Sequence, residues 1–206
     1  SSDLLKQAFQ ENSNLLEQVV EPLTVITGGH NHKDQLTYAW KTLLQNAPHD
    51  SICGCSVDEV HREMETRFAK VNQVGEFVKG NLLEEWKRKL DSHQAESDLL
   101  FTVVNTGLHD KVDTVSVDVT FATCDFKEAH PTEAYRRMAE LTIPDLIVKD
   151  LDGRPVEAKI EDLGANFQYD LPKDSFRQAY IARQLRVTLP LHLAPLSWKT
   201  FQLLPG

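Results

Sequence analysis

The sequence predicts an α-then-β protein, a three-helix bundle followed by an antiparallel β-sandwich-like region. Two observations carry this. Apolar residues recur at helical spacing up to about residue 95, and at a period of two from about Leu99 onward. A third observation, the Asp-Gly pair inside "DLDGRPV", marks a hairpin in the second half.

The first helix is read from Leu4, Leu5, Ala8, Phe9, Leu15, Leu16, Val19 and Val20, which form one apolar stripe. Pro22 is expected to end it, and "TGGHNH" to form a loop. The second helix spans about Asp34 to Asn46, with Leu36, Ala39, Trp40, Leu43 and Leu44 on one face and Pro48 as its stop. The third starts after Ser56. Ser56 and Glu59 have the spacing of a capping box, and Asp58 and Glu59 suit the positive end of the helix dipole. Val60, Met64, Phe68, Val71, Val74, Phe77 and Val78 continue the stripe to about Asp91, with Gly75 and Gly80 weakening it. Short connections make the three helices antiparallel neighbours.

The strand-like runs are "LLFTVVNTG", "TVSVDVTFAT", "LTIPDLIVKD", "RPVEAKIED", "QAYIARQLRVTLPLHL" and "WKTFQLLPG", with no helix expected between them. This divides the chain into a helical domain, 1–95, and a β domain, 96–206, with the boundary near the polar "DSHQAESD".

Composition narrows the function. The 206 residues suffice for a sizeable core, and 41% hydrophobic with 26% charged residues is a soluble globular balance. A net charge of −9 argues against a general nucleic-acid binder, which needs clustered Lys and Arg. No apolar run reaches the roughly 18 residues that span a bilayer, and no leader peptide is visible. The chain opens on Ser1 with a helix pattern starting at once, so it reads as an excised segment and the missing leader carries little weight. Three cysteines are too few for a disulfide scaffold, which leans toward a reducing, cytoplasmic setting.

The chemistry concentrates in "LLQNAPHDSICGCSVDEVHREM". Cys53 and Cys55 have one residue between them, whereas paired zinc cysteines are usually separated by about two to four. Small residues packed at a tight turn are the simpler reading. His49 and Asp50 after Pro48 suit a metal or a hydroxyl, or no more than a turn, and spacing alone does not separate these. His61 reads as a core or interface histidine with its ring nitrogens satisfied, "HNH" as a solvated loop and "EEWKRK" as a solvated helix face. His93, His109, His130 and His192 are scattered, and no phosphate loop or serine elbow is present.

The longer stretch "AWKTLLQNAPHDSICGCSVDEVHREMETRF" resembles glycoside hydrolase family 38, the zinc-dependent α-mannosidases, in its bacterial branch. "FTVVNTGLHDKVDTVSVDV" is similar to the first strands that follow the family's bundle. The resemblance implies a retaining glycosidase with His49 as one of four zinc ligands and Asp50 accepting a hydrogen bond from a sugar hydroxyl. It places the nucleophile, the acid/base and the other zinc ligands in an amino-terminal α/β domain, so no catalytic residue is expected in this chain and the β region is expected to be truncated. The implied partners are a mannoside substrate, either a glycan or a mannosylglycerate-like solute, and that catalytic domain of the same protein. A bundle face made apolar to meet it would favour self-association into a homo-oligomer. A bacterial cytoplasmic location fits. A non-catalytic carbohydrate- or protein-binding module is the alternative, and a redox or metal carrier built on Cys53 and Cys55 a third reading.

Overall fold

The computed structural model describes residues 2–29, 32–91, 99–172 and 174–206. His30, His93 and the boundary segment expected near residue 95 lie outside the described residues. Two compact units emerge, one of Ser1–Ala95 with Asn105–His109 and Pro195–Ser197, the other of the remainder.

The first unit begins with a helical rod in three pieces: α1 (Ser2–Asn14), a π-helical segment (Leu15–Val20) and α2 (Glu21–Thr27). Pro22 was expected to stop this helix and does not. It sits in the first turn of α2, and the Glu21 amide reaches back five residues to the Leu16 carbonyl. A proline lacks the amide that an α-turn needs and crowds the carbonyl four residues earlier. The wider π-turn relieves that crowding and lets the rod continue. The rod runs on through α2 to Thr27.

Helices α3 (Lys33–Leu44) and α5 (Asp58–Asp91) complete the helical unit, with a four-residue turn, α4 (His49–Ile52), between them. Leu16, Ala39, Leu43, Met64, Phe68 and Val71 form the buried centre. Leu44, expected on the apolar face of α3, is 56% exposed, and Phe77 on α5 is 55% exposed. Gly75 lets the π-segment approach α5, because a Cβ there would lie 2.7 Å from Leu15 Cδ2. The capping box expected at Ser56 and Glu59 is replaced by another contact. The Glu59 carboxylate pairs forward with Arg62 at 3.2 Å, and α5 starts with the amides of Val60 and His61 bonded to the Val57 carbonyl.

In the second unit, β1 (Leu99–Asn105), β7 (Ser197–Pro205), β3 (Leu146–Asp150) and β4 (Pro155–Val156) form one sheet, in that order. Strands β2 (Lys111–Asp125), β6 (Gln178–Leu193) and β5 (Lys159–Asp170) form the other. The Asp-Gly turn closes the antiparallel β3–β4 hairpin as expected, with Gly153 N–H bonded to Asp150 O at 3.0 Å. The central strand β6 shows the period of two directly: Leu185, Val187, Leu189, Leu191 and Leu193 are buried. They meet Phe101, Val148, Phe201 and Leu203 of the first sheet in one core.

One element was not expected, helix α6 (Pro131–Ala139) between β2 and β3. It starts at the His130 cap with Pro131 at its first position, and lays Ala134 and Met138 over Cys124 and Ile181. Its exposed face is tied by Glu133 to Arg136 and Arg137, whose guanidiniums pull that carboxyl down to about 2. The end of α6 is held by Arg183, which donates to the carbonyls of Met138 and Ala139, both at 3.1 Å, and pairs with Asp162. Bulges in β2 (between Thr120 and Ala122) and β5 (between Asp162 and Gly164) face the same stretch of β6. Beyond them β6 buries the adjacent pair Ile181 and Ala182.

Candidate functional site

The turn from Asn46 to Cys55 is built from local hydrogen bonds. The Pro48 carbonyl accepts from the amides of Ser51 and Ile52, both at 3.0 Å, which starts α4. Its end is a Schellman motif: Gly54 N–H bonds Ser51 O at 3.1 Å and Cys55 N–H bonds Asp50 O at 3.0 Å. That closure requires a left-handed residue, and Gly54 has φ +72°. Replacing Gly54 with alanine should therefore destabilise the helical unit by about 1 kcal/mol. Urea unfolding of the two proteins measures this.

The turn is anchored to α5 by Asn46, which is fully buried. Its Nδ2 donates to the Met64 carbonyl at 3.0 Å, and its Oδ1 accepts from Arg67 at 3.4 Å. Arg67 is itself paired with Glu63 at 3.3 Å. Ile52 packs against the helical core. Sequence reasoning passed over Asn46. Its signal was a polar residue at the end of an apolar helix stripe, one position before Ala47-Pro48.

His49 and Asp50 come together on the outer side of this frame. Their side chains are 86% and 85% exposed, with His49 Nδ1 3.3 Å from Asp50 Oδ1. That is a long contact between solvated groups, so it orients the pair weakly. A donation from Nδ1–H to the carboxylate leaves the lone pair on Nε2, the atom then free to ligate a metal, while the second Asp50 oxygen is free to accept from a hydroxyl.

The donor set was tested for zinc. Among the described residues no group of three or more His, Cys, Asp and Glu side chains could hold an ion. The turn thus fits one corner of a zinc site, a solvent-facing imidazole beside a carboxylate, and does not fit a whole one, which needs about four ligands.

The other singled-out residues stay apart. All three cysteines are free. Cys53 and Cys55 were expected to pack under the turn. Instead Cys53 is half-buried and Cys55, the last residue of the Schellman closure, is exposed. His61 is half-buried, but its Nε2 has no partner among the described residues, against the expectation of a satisfied ring. His130 caps α6 and His192 lies 3.0 Å from Asp110. The "EEWKRK" run is more than a solvated face: Trp86 is buried, and Lys89 Nζ donates to the Thr27 carbonyl at 3.0 Å. No described helix is long and apolar enough to cross a membrane.

Comparison with known proteins accounts for both halves. Residues 1–85 match the family described as "Alpha mannosidase middle domain", and residues 96–205 match "Glycosyl hydrolases family 38 C-terminal domain 1". A putative mannosylglycerate hydrolase from Halalkalibacterium halodurans is 35% identical over 186 residues, covering 89% of this chain and 21% of that protein. The crystal structure of an α-mannosidase from Enterococcus faecalis V583 superposes with a TM-score of 0.85 at 41% identity, over 98% of this chain and 24% of that one. A second structure, of a glycosyl hydrolase family 38 protein from Enterococcus faecalis, gives a TM-score of 0.82 at 38% identity, again over 98% and 24%. The chain spans under a quarter of the length of these relatives. Over both of its halves, it belongs to glycosyl hydrolase family 38.

Proposed function

We propose that this chain is the helical middle domain and the first β portion of a longer zinc-dependent, retaining α-mannosidase-type enzyme that removes terminal α-mannosyl groups. The observation that supports the reading is the turn itself. An exposed His-Asp pair is held out by a Schellman-closed helical turn anchored through a buried Asn. The turn holds both side chains out where an incoming ligand can reach them. A binding site needs such donors on a rigid base.

In this reading His49 Nε2 takes one position on zinc, and Asp50 accepts a hydrogen bond from a hydroxyl of the sugar. Bound zinc would act as a Lewis acid and a template for that sugar. Asp50 then orients the sugar ring, and because its Oδ1 also faces His49 Nδ1 it biases the imidazole toward the ligating tautomer. The nucleophile and the acid/base of a retaining reaction are two further carboxyl groups, which we place in the remainder of the enzyme. The substrate is an α-mannoside, a glycan or a mannosylglycerate-like solute.

The test is hydrolysis of an aryl α-mannoside by the full-length enzyme and its His49→Ala variant, with zinc supplied and metal content measured. The variant should lose zinc and turn over about 10³-fold more slowly, the several kcal/mol that a Lewis-acid metal supplies. Retained zinc and near-normal turnover would remove His49 from the site. The motif would then be a structural turn, and the alternative, a carbohydrate- or protein-binding module without chemistry, would stand only if the full-length protein itself turned over no mannoside.

A further inference from the structure

A groove of about 620 Å³ lies between α2 and α3 in the helical unit, and the reading of His49 does not involve it. Trp40 is set in it by a hydrogen bond of 2.6 Å from its Nε1–H to Glu21 Oε1. The Thr24 hydroxyl donates to the Glu21 carbonyl, also at 2.6 Å, and fixes the same turn. Leu36 and Leu44 supply apolar wall, and Thr37 a further hydroxyl. His32 also lines the groove; it is buried, and neither of its ring nitrogens has a partner among the described residues.

Two features mark the groove as more than a crease between helices. The first is the backbone. Glu21 directly follows the six-residue π-segment that absorbs Pro22, so its place beside Trp40 is set by that wider turn and by the Thr24 bond. The second is charge. In a chain of net charge −9, the groove carries Lys33 and Lys41 against the single carboxylate of Glu21. Neither lysine has an ion-pair partner among the described residues, as is true of most described lysines, so both ammoniums are open to an anion in the groove. The lysines are eight residues apart on α3, on one row of the helix, about 12 Å from each other.

We propose that this groove binds a small hydroxylated anion of sugar size, a polyol bearing one carboxylate or phosphate. The indole offers its face to C–H groups, as aromatic rings do to weakly polarised hydrogens. The free oxygen of Glu21 accepts from hydroxyls, and one of the two ammoniums takes the acidic group.

The test follows the indole N–H resonance of Trp40, identified through the Trp40→Phe variant, while gluconate, mannose 6-phosphate, mannose and inorganic phosphate are added in turn to the purified protein. Gluconate or mannose 6-phosphate should move the resonance saturably, and the arm that binds more tightly identifies the acid. Mannose and inorganic phosphate should bind at least tenfold more weakly. At least one of the exposed-site variants Lys33→Gln and Lys41→Gln should weaken binding about tenfold while leaving urea unfolding unchanged. The proposal is overturned if neither anionic polyol shifts the resonance at millimolar concentration, if mannose binds equally well, or if both lysine variants bind as the parent does.

Discussion

On its own, the 206-residue chain should leave an aryl α-mannoside intact, and should hold zinc no more tightly than about 0.1–1 mM, an affinity of roughly −4 to −5.5 kcal/mol. The argument is a count of groups. Retaining cleavage of a glycoside needs two carboxyl groups about 5 Å apart on either side of the bond, and the candidate turn offers one carboxylate beside an imidazole. A complete protein zinc site gains about 10–16 kcal/mol from its full set of ligands. One imidazole, with at most a neighbouring carboxylate, leaves most of the coordination sphere to water. Both measurements are direct: product release over hours, and zinc remaining after dialysis against a mild chelator. Turnover, or one equivalent of retained zinc, would show that the chain carries a complete site, and would contradict the role given to His49 as one corner of it.

Phe201→Ala should be among the most damaging single changes in the β unit, costing about 3–5 kcal/mol. Phe201 is 2% exposed and sits where the two sheets meet. Its ring stacks on Phe101 with centroids 5.3 Å apart and planes 27° from parallel. Truncation removes that pair and leaves a cavity that Val148 and Leu185 cannot fill without breaking the strand spacing. Phe176, which is 94% exposed, is the control: its alanine variant should lie within about 0.5 kcal/mol of the parent. Denaturant unfolding, with hydrogen exchange at β6 amides as the local readout, tests both. Equal stability of Phe201→Ala and the parent would mean that the stacked pair is not part of the core.

The sequence was most legible where burial imposes a period. The alternation of Leu185 through Leu193 and the stripe from Met64 to Val78 were readable because one face of each element is buried and the other is wet. The failures have local causes. Pro22 was read as a stop because an α-helix cannot absorb it, and the π-segment that does so has no sequence signature of its own. Helix α6 has only about two and a half turns and buries only Ala134 and Met138, too few apolar positions to stand out as a stripe. Its cues were a His-Pro start and charges at three- and four-residue spacing, Glu133 with Arg136 and Arg137. The Ser56 box was a correct pattern that lost to a competing partner, Arg62. At the candidate site, His49 and Asp50 stood out by residue type, but their exposure and the buried Asn46 beneath them depend on packing that no spacing encodes.

The turn that presents His49 has a consequence for how such a site takes shape. From Pro48 to Cys55 the backbone hydrogen bonds that shape α4 and its closure join residues within those eight consecutive positions. Contacts this local close early and cost little chain entropy. The turn can thus form as a cassette of its own, largely independent of the helices around it. Asn46, through Met64 and Arg67, is the single described side-chain hydrogen-bond tether between this cassette's approach and α5. Loss of Asn46 would leave the turn's own backbone bonds in place and remove the side-chain tie that fixes the His49–Asp50 pair relative to α5.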